Sequence, residues 1–425
     1  MTEDFIHYLW KYKKVNIHNL KTIQGEKVEM IRFGMHNSDS GPDFSNAQVR
    51  IEGQLWAGNI EIHLLNSDWR KHKHQKDGAY RNVILHVVYE YDTEIVFFDN
   101  GPTIPCIELK GRIDEKLYWK YEGLLNSNGP IVCYNQAKLI DPFIKESMLQ
   151  RLMVERMELK TNELSNLLEL RKGDWNSVFY EWLFRGFGLK VNSDPMRILA
   201  MQLSATIVYR HRNSLEDIEA LLFGVAGMLE KPKDEYSKKL KSIFQHLKRK
   251  YDLSILDSKI WKFSRMRPNS FPSLRIAQLA AFLFQNGAIF TDFLEEKDSK
   301  KLAQTFQIEV SDYWKSHFRF GVSSTERSGN IGIEFSQTLI LNVIIPILFL
   351  YGKEKGKEEF QQRAFDLLEQ MKFEKNQITQ IYEALNFPNE SAFHSQALIQ
   401  LNQFYCKPKK CLNCKLGTHL MTIPK

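Results

Sequence analysis

Two acidic residues and one histidine stand where they could hold a metal ion. Asp43 precedes, and Glu61 and His63 follow, a turn predicted at residues 52–54. Apolar and polar residues alternate on both sides of this turn, as they do in a β-hairpin. A turn centred on Gly53 places Asp43 opposite His63 and diagonal to Glu61 on the partner strand.

The face that these three side chains share is predicted to be otherwise apolar and buried. Ionisable groups on such a face need a partner, for example a metal ion or another charge. The assignment depends on register, because a slip of one residue turns Glu61 and His63 to the face opposite Asp43. The apolar positions of this face are Ala47, Val49, Ile51, Leu55 and Ala57.

This pattern resembles the PD-(D/E)XK nuclease superfamily, in which an acid after a proline is followed on the next strand by an acid and a lysine two residues apart. The resemblance implies that Asp43 and Glu61 bind magnesium or manganese and that the substrate is DNA or RNA. His63 replaces the lysine, and a neutral imidazole can act as a base or as a metal ligand. Lys71 or Lys73, just downstream, could supply the missing charge.

The order of the predicted elements also matches that superfamily. A helix at 3–14, a strand at 27–33, the hairpin, a helix at 69–80 and a strand at 83–89 give the order helix, three strands, helix, strand. Gln75 and Tyr80 resemble, with loose spacing, the glutamine and tyrosine of some exonuclease branches. We therefore expect a restriction-endonuclease-like N-terminal domain of the α+β or α/β class, with a mixed sheet flanked by helices.

Three further histidines lie in this stretch. His72 and His74 could ligate a metal or bind a phosphate, or they could lie on the solvated side of a polar helix, and we weigh these interpretations equally. Residues two apart on a helix point in different directions, so both can reach one metal only if the segment is a loop. His86, alone in an apolar strand, suits a hydrogen-bonded core position at least as well as a catalytic one.

The chain is predicted to contain two domains and a tail. The nuclease-like domain covers residues 1–130 and ends at the turn residues Asn128, Gly129 and Pro130. Long helical periods then predict a larger all-α domain over residues 131–405. Residues 406–425 form a cysteine-rich tail that we expect to pack near the domain junction.

The sequence does not predict a membrane protein. The N-terminus lacks the basic and then apolar plan of a signal peptide. The longest apolar run, 340–350, is too short to cross a bilayer and predicts a buried helix. Five cysteines in a chain of 425 residues suit a reducing compartment, so a cytoplasmic location without a membrane is expected.

Three cysteines near the C-terminus form the strongest single motif. Cys406, Cys411 and Cys414 need a fourth ligand to complete a zinc site or an iron–sulfur cluster, and Cys133 is the first choice. Cys106 and His419 are the alternatives for that position. A remote cysteine with a terminal trio resembles the iron–sulfur staple of some nucleases of the same superfamily, although there the single cysteine usually precedes the nuclease core.

Basic residues are compatible with a nucleic-acid partner. The formal net charge is +7 and the isoelectric point is near 8.9, which permits polyanion binding without requiring it. Arg265, Arg267 and Arg275 alternate with aromatic residues in a proline-bounded loop, where they could contact phosphates and bases. The alternative, that they pair with carboxylates of neighbouring helices, is favoured two to one, since paired structural arginines are common.

The chain as a whole resembles an uncharacterised bacterial family of unknown function, which brings no activity with it. Two functions are therefore weighed: a metal-dependent nuclease, and an inactive module that keeps the fold and binds nucleic acid or protein. The oligomeric state is left open. The resemblance is carried by the runs 41–44, 58–63, 68–74, 82–88 and 275–279 and by the closing cysteines.

Overall fold

A computed structural model of the protein describes residues 1–37, 39–98, 103–286, 290–324 and 329–423. The chain divides into two compact units. Unit 1 comprises Met1–Met148 and Leu401–Lys425, and unit 2 comprises Leu149–Gln400. Unit 1 thus runs past the boundary expected at residue 130 and takes in the C-terminal segment.

The first part of the chain forms a six-stranded sheet and its surrounding helices. Its helices and strands, numbered in chain order, are α1 Glu3–Lys11, β1 Val28–Arg32, β2 Met35–His36, β3 Phe44–Ile51, β4 Gln54–Leu65, α2 Asp68–Lys71, β5 Val83–Glu90, β6 Cys106–Glu108, α3 Glu115–Leu125 and α4 Pro142–Leu170.

The later part of the described chain is mostly helical. Its elements are α5 Trp175–Phe187, α6 Ser193–Gln202, α7 Ala205–Arg210, α8 Leu215–Val225, α9 Glu235–Tyr251, α10 Pro272–Asn286, α11 Thr291–Leu294, α12 Ser299–Thr305, β7 His317–Arg319, β8 Val322–Ser323, α13 Ile333–Leu339, α14 Ile345–Lys355, α15 Glu358–Gln370, α16 Gln377–Glu383, α17 Ala392–Leu401 and α18 Lys415–Thr422. The predicted all-α region therefore also contains a small ribbon, β7 with β8.

The sheet of unit 1 is mixed. Its strands follow the order β1, β3, β4, β5, β6, and β2 pairs with β3 beside β1. The pairs β1–β3 and β3–β4 are antiparallel, whereas β4–β5 and β5–β6 are parallel. This sheet and the helical part that follows it confirm the coarse expectation of an α+β domain followed by helices.

The hairpin that carries the acidic residues has a two-residue turn. Ile51 pairs with Gln54, so the turn consists of Glu52 and Gly53 alone. Both have positive φ angles, +46° and +85°, as a type I′ turn requires. Gln54, predicted to lie in the turn, is the first residue of β4.

A bulge in β3 then resets the pairing near the site. Asn46, with φ +57°, lies within the irregular stretch where the register shifts by one residue. Beyond it Phe44 pairs with Ile60, so the next position along the ladder brings Asp43 beside Glu61.

Two predictions about this hairpin are wrong. Asp43 lies beside Glu61 instead of opposite His63, because the tight turn and the bulge each move the register. The face was also expected to be buried, but Leu55 is 55% exposed and Ala57 is exposed as well. The buried part of β4 begins beyond them, in the half of the strand that carries the ionisable residues.

The predicted helix over residues 69–80 is wrong as well. The segment contains the single α-helical turn α2 and two 3₁₀ turns, His74–Lys76 and Gly78–Asn82. Lys73 interrupts it with φ +63°, a left-handed conformation that no continuous right-handed helix contains.

One helical stretch of unit 2 has the length and composition of a membrane span. Residues Ile333–Lys355 comprise α13, a π-helical turn at Ile340–Ile344 and α14, and 67% of the most apolar window is buried within the protein. That burial is typical of a core helix, and it agrees with the buried helix expected at 340–350.

Candidate functional site: a buried cluster of imidazoles and carboxylates

The sheet of unit 1 brings two of the predicted residues to one buried position. Glu61 and His63 are two residues apart on β4, so their side chains share a face. Glu61 is 4% exposed and His63 is fully buried. Asp43, immediately before β3, is only partly buried and reaches the same place from the neighbouring strand.

The two carboxylates are fixed by reciprocal backbone hydrogen bonds. The Asp43 N–H donates to Glu61 Oε2 at 3.1 Å, and the Ile62 N–H donates to Asp43 Oδ2 at 2.9 Å. The bulged register described above makes both bonds possible, because it brings Asp43 beside Glu61. The hairpin therefore holds both acids in place through its own backbone N–H groups.

Two imidazole nitrogens lie close to the other oxygen of Glu61, and a third lies close to one of them. Glu61 Oε1 lies 3.5 Å from His63 Nε2 and 3.2 Å from His74 Nε2. His63 Nε2 lies 3.2 Å from His72 Nδ1, and ligand atoms of the three histidines lie within 4.8 Å of one another. Ligands at about 2.0–2.1 Å from a tetrahedral ion are separated by roughly 3.3 Å, so these spacings match a metal coordination sphere.

The break in the predicted helix allows both downstream histidines to take part. The sequence required a loop here if His72 and His74 were to reach one metal, and Lys73 provides it. The main chain reverses its local twist at Lys73, after which the His74 ring stacks on Tyr80 with centroids 3.9 Å apart.

A buried hydrogen-bonded chain fixes the tautomer of His63. Asn66 Nδ2 donates to the Thr93 carbonyl oxygen at 2.7 Å, so Asn66 Oδ1 accepts from His86 Nδ1 at 3.0 Å. His86 Nε2 is then the acceptor for the Nδ1–H of His63 at 2.8 Å. The lone pair of His63 is consequently on Nε2, the atom that faces Glu61 and His72. Metal-binding histidines are commonly oriented in this way.

Burial sets the protonation states of the cluster. Burial, followed by the charge of Asp43, raises the pKa of Glu61 to about 9. Burial, followed by the proximity of His86, lowers the pKa of His63 to about 2, and burial lowers that of His86 to about 3. A base that works at neutral pH needs a pKa near 7, so these surroundings favour His63 as a ligand over His63 as a base.

Two buried nitrogens lie near carboxylates but are not hydrogen-bonded to them. His74 Nε2 is 3.2 Å from Glu61 Oε1, and His7 Nε2 is 3.2 Å from Asp43 Oδ2, yet neither is aligned as a donor. Nitrogen and oxygen atoms that converge without bonding each other are arranged as they would be around a shared cation.

The second grouping, which the sequence did not reveal, includes residues of α1. Glu3, His7 and Asp43 have ligand atoms within 4.8 Å of one another. The pKa of His7 is raised overall: burial opposes its charge, and the nearby carboxylates outweigh burial. An imidazolium between carboxylates already balances charge, so this trio is the weaker metal candidate. The sequence signal for this grouping was the spacing of Glu3 and His7, because residues four apart on a helix are neighbours on its surface.

The two lysines proposed as substitutes for the superfamily lysine lie elsewhere. Lys71 Nζ is 3.3 Å from Asp68 Oδ1, and its side chain is 76% exposed. Lys73 is exposed and serves as the backbone break.

The three arginines of the predicted nucleic-acid loop differ in environment. Arg265 and Arg267 are exposed. Arg275 is 7% exposed, donates to Gln278 Oε1 at 2.8 Å and lies 3.3 Å from the centroid of the Phe335 ring. Arg275 therefore lies in the protein interior, but its partners are an amide and an aromatic ring instead of the helix carboxylate that the favoured alternative expected.

Aromatic residues of the same loop bind an arginine that the sequence did not single out. The guanidinium of Arg319 lies 4.1 Å from the Phe263 ring and 4.4 Å from the Phe271 ring. These aromatic residues are thus occupied by a cation–π contact within unit 2.

The cysteines separate into two places. Cys133, Cys411 and Cys414 are buried, Cys406 is partly buried, and none of these four described residues is in a disulfide. Cys106 instead lies 4.0 Å from His86 Nδ1, beside the histidine cluster.

Comparison with known proteins identifies a family. The family described as "Protein of unknown function (DUF2851)" matches residues 3–377, so the chain belongs to it. No curated protein and no solved structure matches the chain. The family expected from the sequence is confirmed, at the level of a family of unknown function.

Proposed function

We propose that this member of the DUF2851 family is a metal-dependent phosphodiesterase that cleaves DNA or RNA. The observation that carries the proposal is the convergence of imidazole nitrogens on Glu61 Oε1, with Asp43 hydrogen-bonded beside it. The resemblance of the hairpin to the PD-(D/E)XK superfamily supports the choice of substrate, and the net charge of +7 is compatible with it.

The donor set fits a transition metal ion. His63, His72 and His74 offer neutral nitrogens, and Glu61 offers an oxygen within contact distance of two of them. Imidazoles favour transition metals, whereas magnesium prefers oxygen ligands alone. Of the two ions expected from the sequence, manganese therefore fits better than magnesium, and zinc and iron belong in any test.

Each residue has a distinct role in this proposal. A bound divalent cation would polarise a phosphoryl oxygen and make a nearby water more acidic. Glu61 would exchange its proton for the cation, which removes the cost of burying a carboxylate. His63 would offer its Nε2 lone pair, oriented by His86, while the Asp43 carboxylate, held beside Glu61 by the hairpin hydrogen bonds, would supply a second negative charge to the cation.

The test is a cleavage assay with single- and double-stranded DNA and RNA, supplemented in turn with magnesium, manganese, zinc and iron(II). We expect cleavage to be strongest with manganese and to be lost in Asp43→Asn, which keeps the side-chain shape but removes the charge. Lys71→Ala, an exposed position paired with Asp68, is the matched control and should cleave like the wild type. Equal cleavage by Asp43→Asn and wild type would refute the assignment.

A second candidate is a module that binds nucleic acid without cleaving it. One observation favours it: Asp43 Oδ2 already accepts the Ile62 N–H and lies beside His7, so part of this carboxylate is engaged within the protein. Binding of nucleic acid that is insensitive to every metal, without cleavage, would support this alternative.

A further inference from the structure

The C-terminal cysteines lie at three turns of the backbone. Cys406 ends a π-helical turn, Asn402–Cys406, that continues α17, and Cys411 opens a 3₁₀ turn. Cys414 immediately precedes α18. Four and then two residues separate the three cysteines, the spacing found with a remote cysteine in plant-type iron–sulfur sites.

Hydrogen bonds within unit 1 bring this segment to the region of Cys133. Cys133 lies in the connection between α3 and α4. Lys409 Nζ donates to the carbonyl oxygen of Leu125, at the end of α3, at 3.4 Å. Lys415 Nζ donates to Ser147 Oγ, in α4, at 2.7 Å. The trio and the remote cysteine therefore share one neighbourhood, although more than two hundred residues separate them in sequence.

The thiols interact with one another through their charge. Burial, followed by Cys414 and Cys411, raises the pKa of Cys133 to about 12. Burial, followed by Cys414 and Cys406, raises the pKa of Cys411 to about 12. Three of the four thiols, those of Cys133, Cys411 and Cys414, are buried, and a thiolate is the form of cysteine that binds a metal.

The cysteine loop also forms one wall of a cleft in unit 1. The cleft has a volume of about 240 Å³. Lys409 and Lys410 line it from the loop, and Lys11 and His7 line it from α1. Asp4 lines it as well. His7, whose Nε2 lies 3.2 Å from Asp43 Oδ2, connects the cleft to the candidate active site.

We propose that Cys133, Cys406, Cys411 and Cys414 ligate one metal centre, zinc or an iron–sulfur cluster, and that this centre holds the loop so that Lys410, with Lys11 across the cleft, binds a phosphate of a polyanion. The metal centre stands independently of the phosphodiesterase activity, whereas the identity of the polyanion as nucleic acid rests on the proposed function. The role of the centre is structural. It fixes the cysteine loop, and with it the lysines that line the cleft, more firmly than the loop's own hydrogen bonds would alone.

The backbone of the segment is shaped for such a compact centre. Gly417, in the first turns of α18, packs against the backbone of Cys411, and an added Cβ would lie 2.4 Å from the Cys411 carbonyl oxygen. Lys409 takes φ +56°, which reverses the chain between the first two cysteines of the trio. Two short loops therefore order most of the ligands locally, and the remote ligand adds an entropy cost that grows only with the logarithm of loop length.

Metal analysis of anaerobically purified full-length protein tests the centre. We expect about one zinc per chain, or iron with inorganic sulfide and a visible absorption band, and loss of that metal in Cys411→Ser/Cys414→Ser. Cys106→Ala, a buried cysteine of the same unit outside the cluster, is the control and should keep it. Absence of metal from the wild type, or full content in the double variant or in Cys133→Ser, overturns the assignment.

A second measurement covers the case in which the double variant does not fold. Wild-type protein is treated with iodoacetamide before and after removal of the metal by a chelator, and modified cysteines are counted by mass spectrometry. We expect Cys406, which is the most exposed of the four, to become reactive only after chelation. Alkylation of Cys406 at the same rate in both samples would contradict metal ligation.

The cleft is tested by binding of a fluorescent single-stranded oligonucleotide without added divalent metal. Lys11→Ala/Lys410→Ala should weaken binding by about tenfold at low salt and lower the slope of log K against log salt by about 0.7, the contribution of one phosphate contact on a single strand. Lys21→Ala/Lys407→Ala removes two exposed lysines that do not line the cleft, and it should bind within about twofold of wild type.

The outcomes of the two proposals are distinguishable. Unchanged binding and salt dependence in Lys11→Ala/Lys410→Ala would overturn the role of the cleft, whatever the metal analysis shows. Lysine-dependent binding without any cleavage would instead refute the phosphodiesterase and leave the cleft and the metal centre standing.

Discussion

Glu61 in unit 1 and Glu219 in unit 2 are both buried carboxylates, 4% and 0% exposed, but their surroundings differ. Both Glu219 oxygens accept hydroxyl hydrogen bonds, from Tyr236 at 2.5 Å and from Ser311 at 2.9 Å. Burial raises the pKa of both glutamates, to about 9 for Glu61 and about 7 for Glu219.

The difference lies in what each oxygen meets. One oxygen of Glu61 accepts a backbone N–H, and the other faces imidazole nitrogens, of which that of His74 is not aligned as a donor. Buried polar groups are normally satisfied by hydrogen bonds. A buried carboxylate that accepts hydroxyl hydrogen bonds, such as Glu219, is explained by structure alone, whereas Glu61 Oε1 faces imidazole nitrogens and is the oxygen to which the proposed metal would bind. Burial and a raised pKa therefore do not identify a site by themselves, and the geometry of the partners does.

The largest expected effect is a loss of cleavage activity on substitution of Glu61 that substitution of Glu219 does not cause. Glu61→Gln should lower kcat/KM for nucleic-acid cleavage on the order of 10³-fold, since a metal contributes several kcal/mol to the transition state. Its Tm without metal should stay close to wild type, because the raised pKa keeps Glu61 neutral there. Glu219→Gln, measured in the same cleavage and melting experiments, should retain activity. Equal losses in the two variants would show that Glu61 is structural as well.

The next effect concerns Glu219 and pH. Its folded-state pKa of about 7 lies above the ordinary value of 4.5, so the folded protein holds a proton that the unfolded chain releases between these values. The free energy of unfolding should therefore fall as pH rises from about 4.5 to about 7, by roughly 3 kcal/mol from this group. Glu219→Gln stays neutral, so its free energy of unfolding should not fall with pH on account of this residue. The free energy of unfolding of the variant minus that of wild type should therefore grow over that range. Denaturation at pH 5 and pH 8 measures it, and parallel profiles would contradict the expected shift.

A smaller effect is expected from the residue that orients His63. His86→Phe removes the acceptor of the His63 Nδ1–H, and the ring fits because Trp69 and Phe97 surround it at 5.3 and 5.5 Å. We expect manganese affinity, measured by calorimetry, to fall about 10- to 100-fold, as for other partners of metal ligands. Saturating manganese should restore much of the cleavage rate.

Cys106→Ala is the control for that experiment. Its sulfur lies 4.0 Å from His86 Nδ1 and 3.7 Å from Asn66 Oδ1, so it shares the buried environment without orienting His63. Manganese affinity of Cys106→Ala should equal that of wild type. A loss as large as that of His86→Phe would attribute the effect to packing instead of orientation.

The sequence predicted the existence of the hairpin and its acidic residues but not their pairing. Strand alternation and the turn residues located β3 and β4, because those signals are local. Register depends on the shorter turn at Glu52 and Gly53 and on the bulge at Asn46. Positive φ at a residue other than glycine has only a weak sequence signal, so a pairing deduced from the turn alone missed both shifts.

The same limit explains which site residues were found. His72 and His74 were noticed by their type, and their joint approach to His63 was predicted on one condition, a loop, that Lys73 satisfies. His7 and Asn66 were missed because each reaches the site through the tertiary structure. The cysteine trio was noticed through its spacing, and Cys133 was preferred over Cys106 and His419 because it lies just after the predicted domain boundary.

The smallest expected effect concerns the exposed arginines of unit 2. If the chemistry belongs to the Glu61 carboxylate of unit 1, Arg265 and Arg267 contribute only screened charge to nucleic-acid binding. Arg265→Ala/Arg267→Ala should weaken binding of the single-stranded oligonucleotide by no more than about threefold at low salt and change the salt dependence by less than the 0.7 of one phosphate contact. Lys11→Ala/Lys410→Ala, measured in the same titration, is the comparison. A larger change in the arginine variant than in the lysine variant would place the principal phosphate contacts in the unit 2 loop, as the alternation of arginines and aromatic residues in the sequence first indicated.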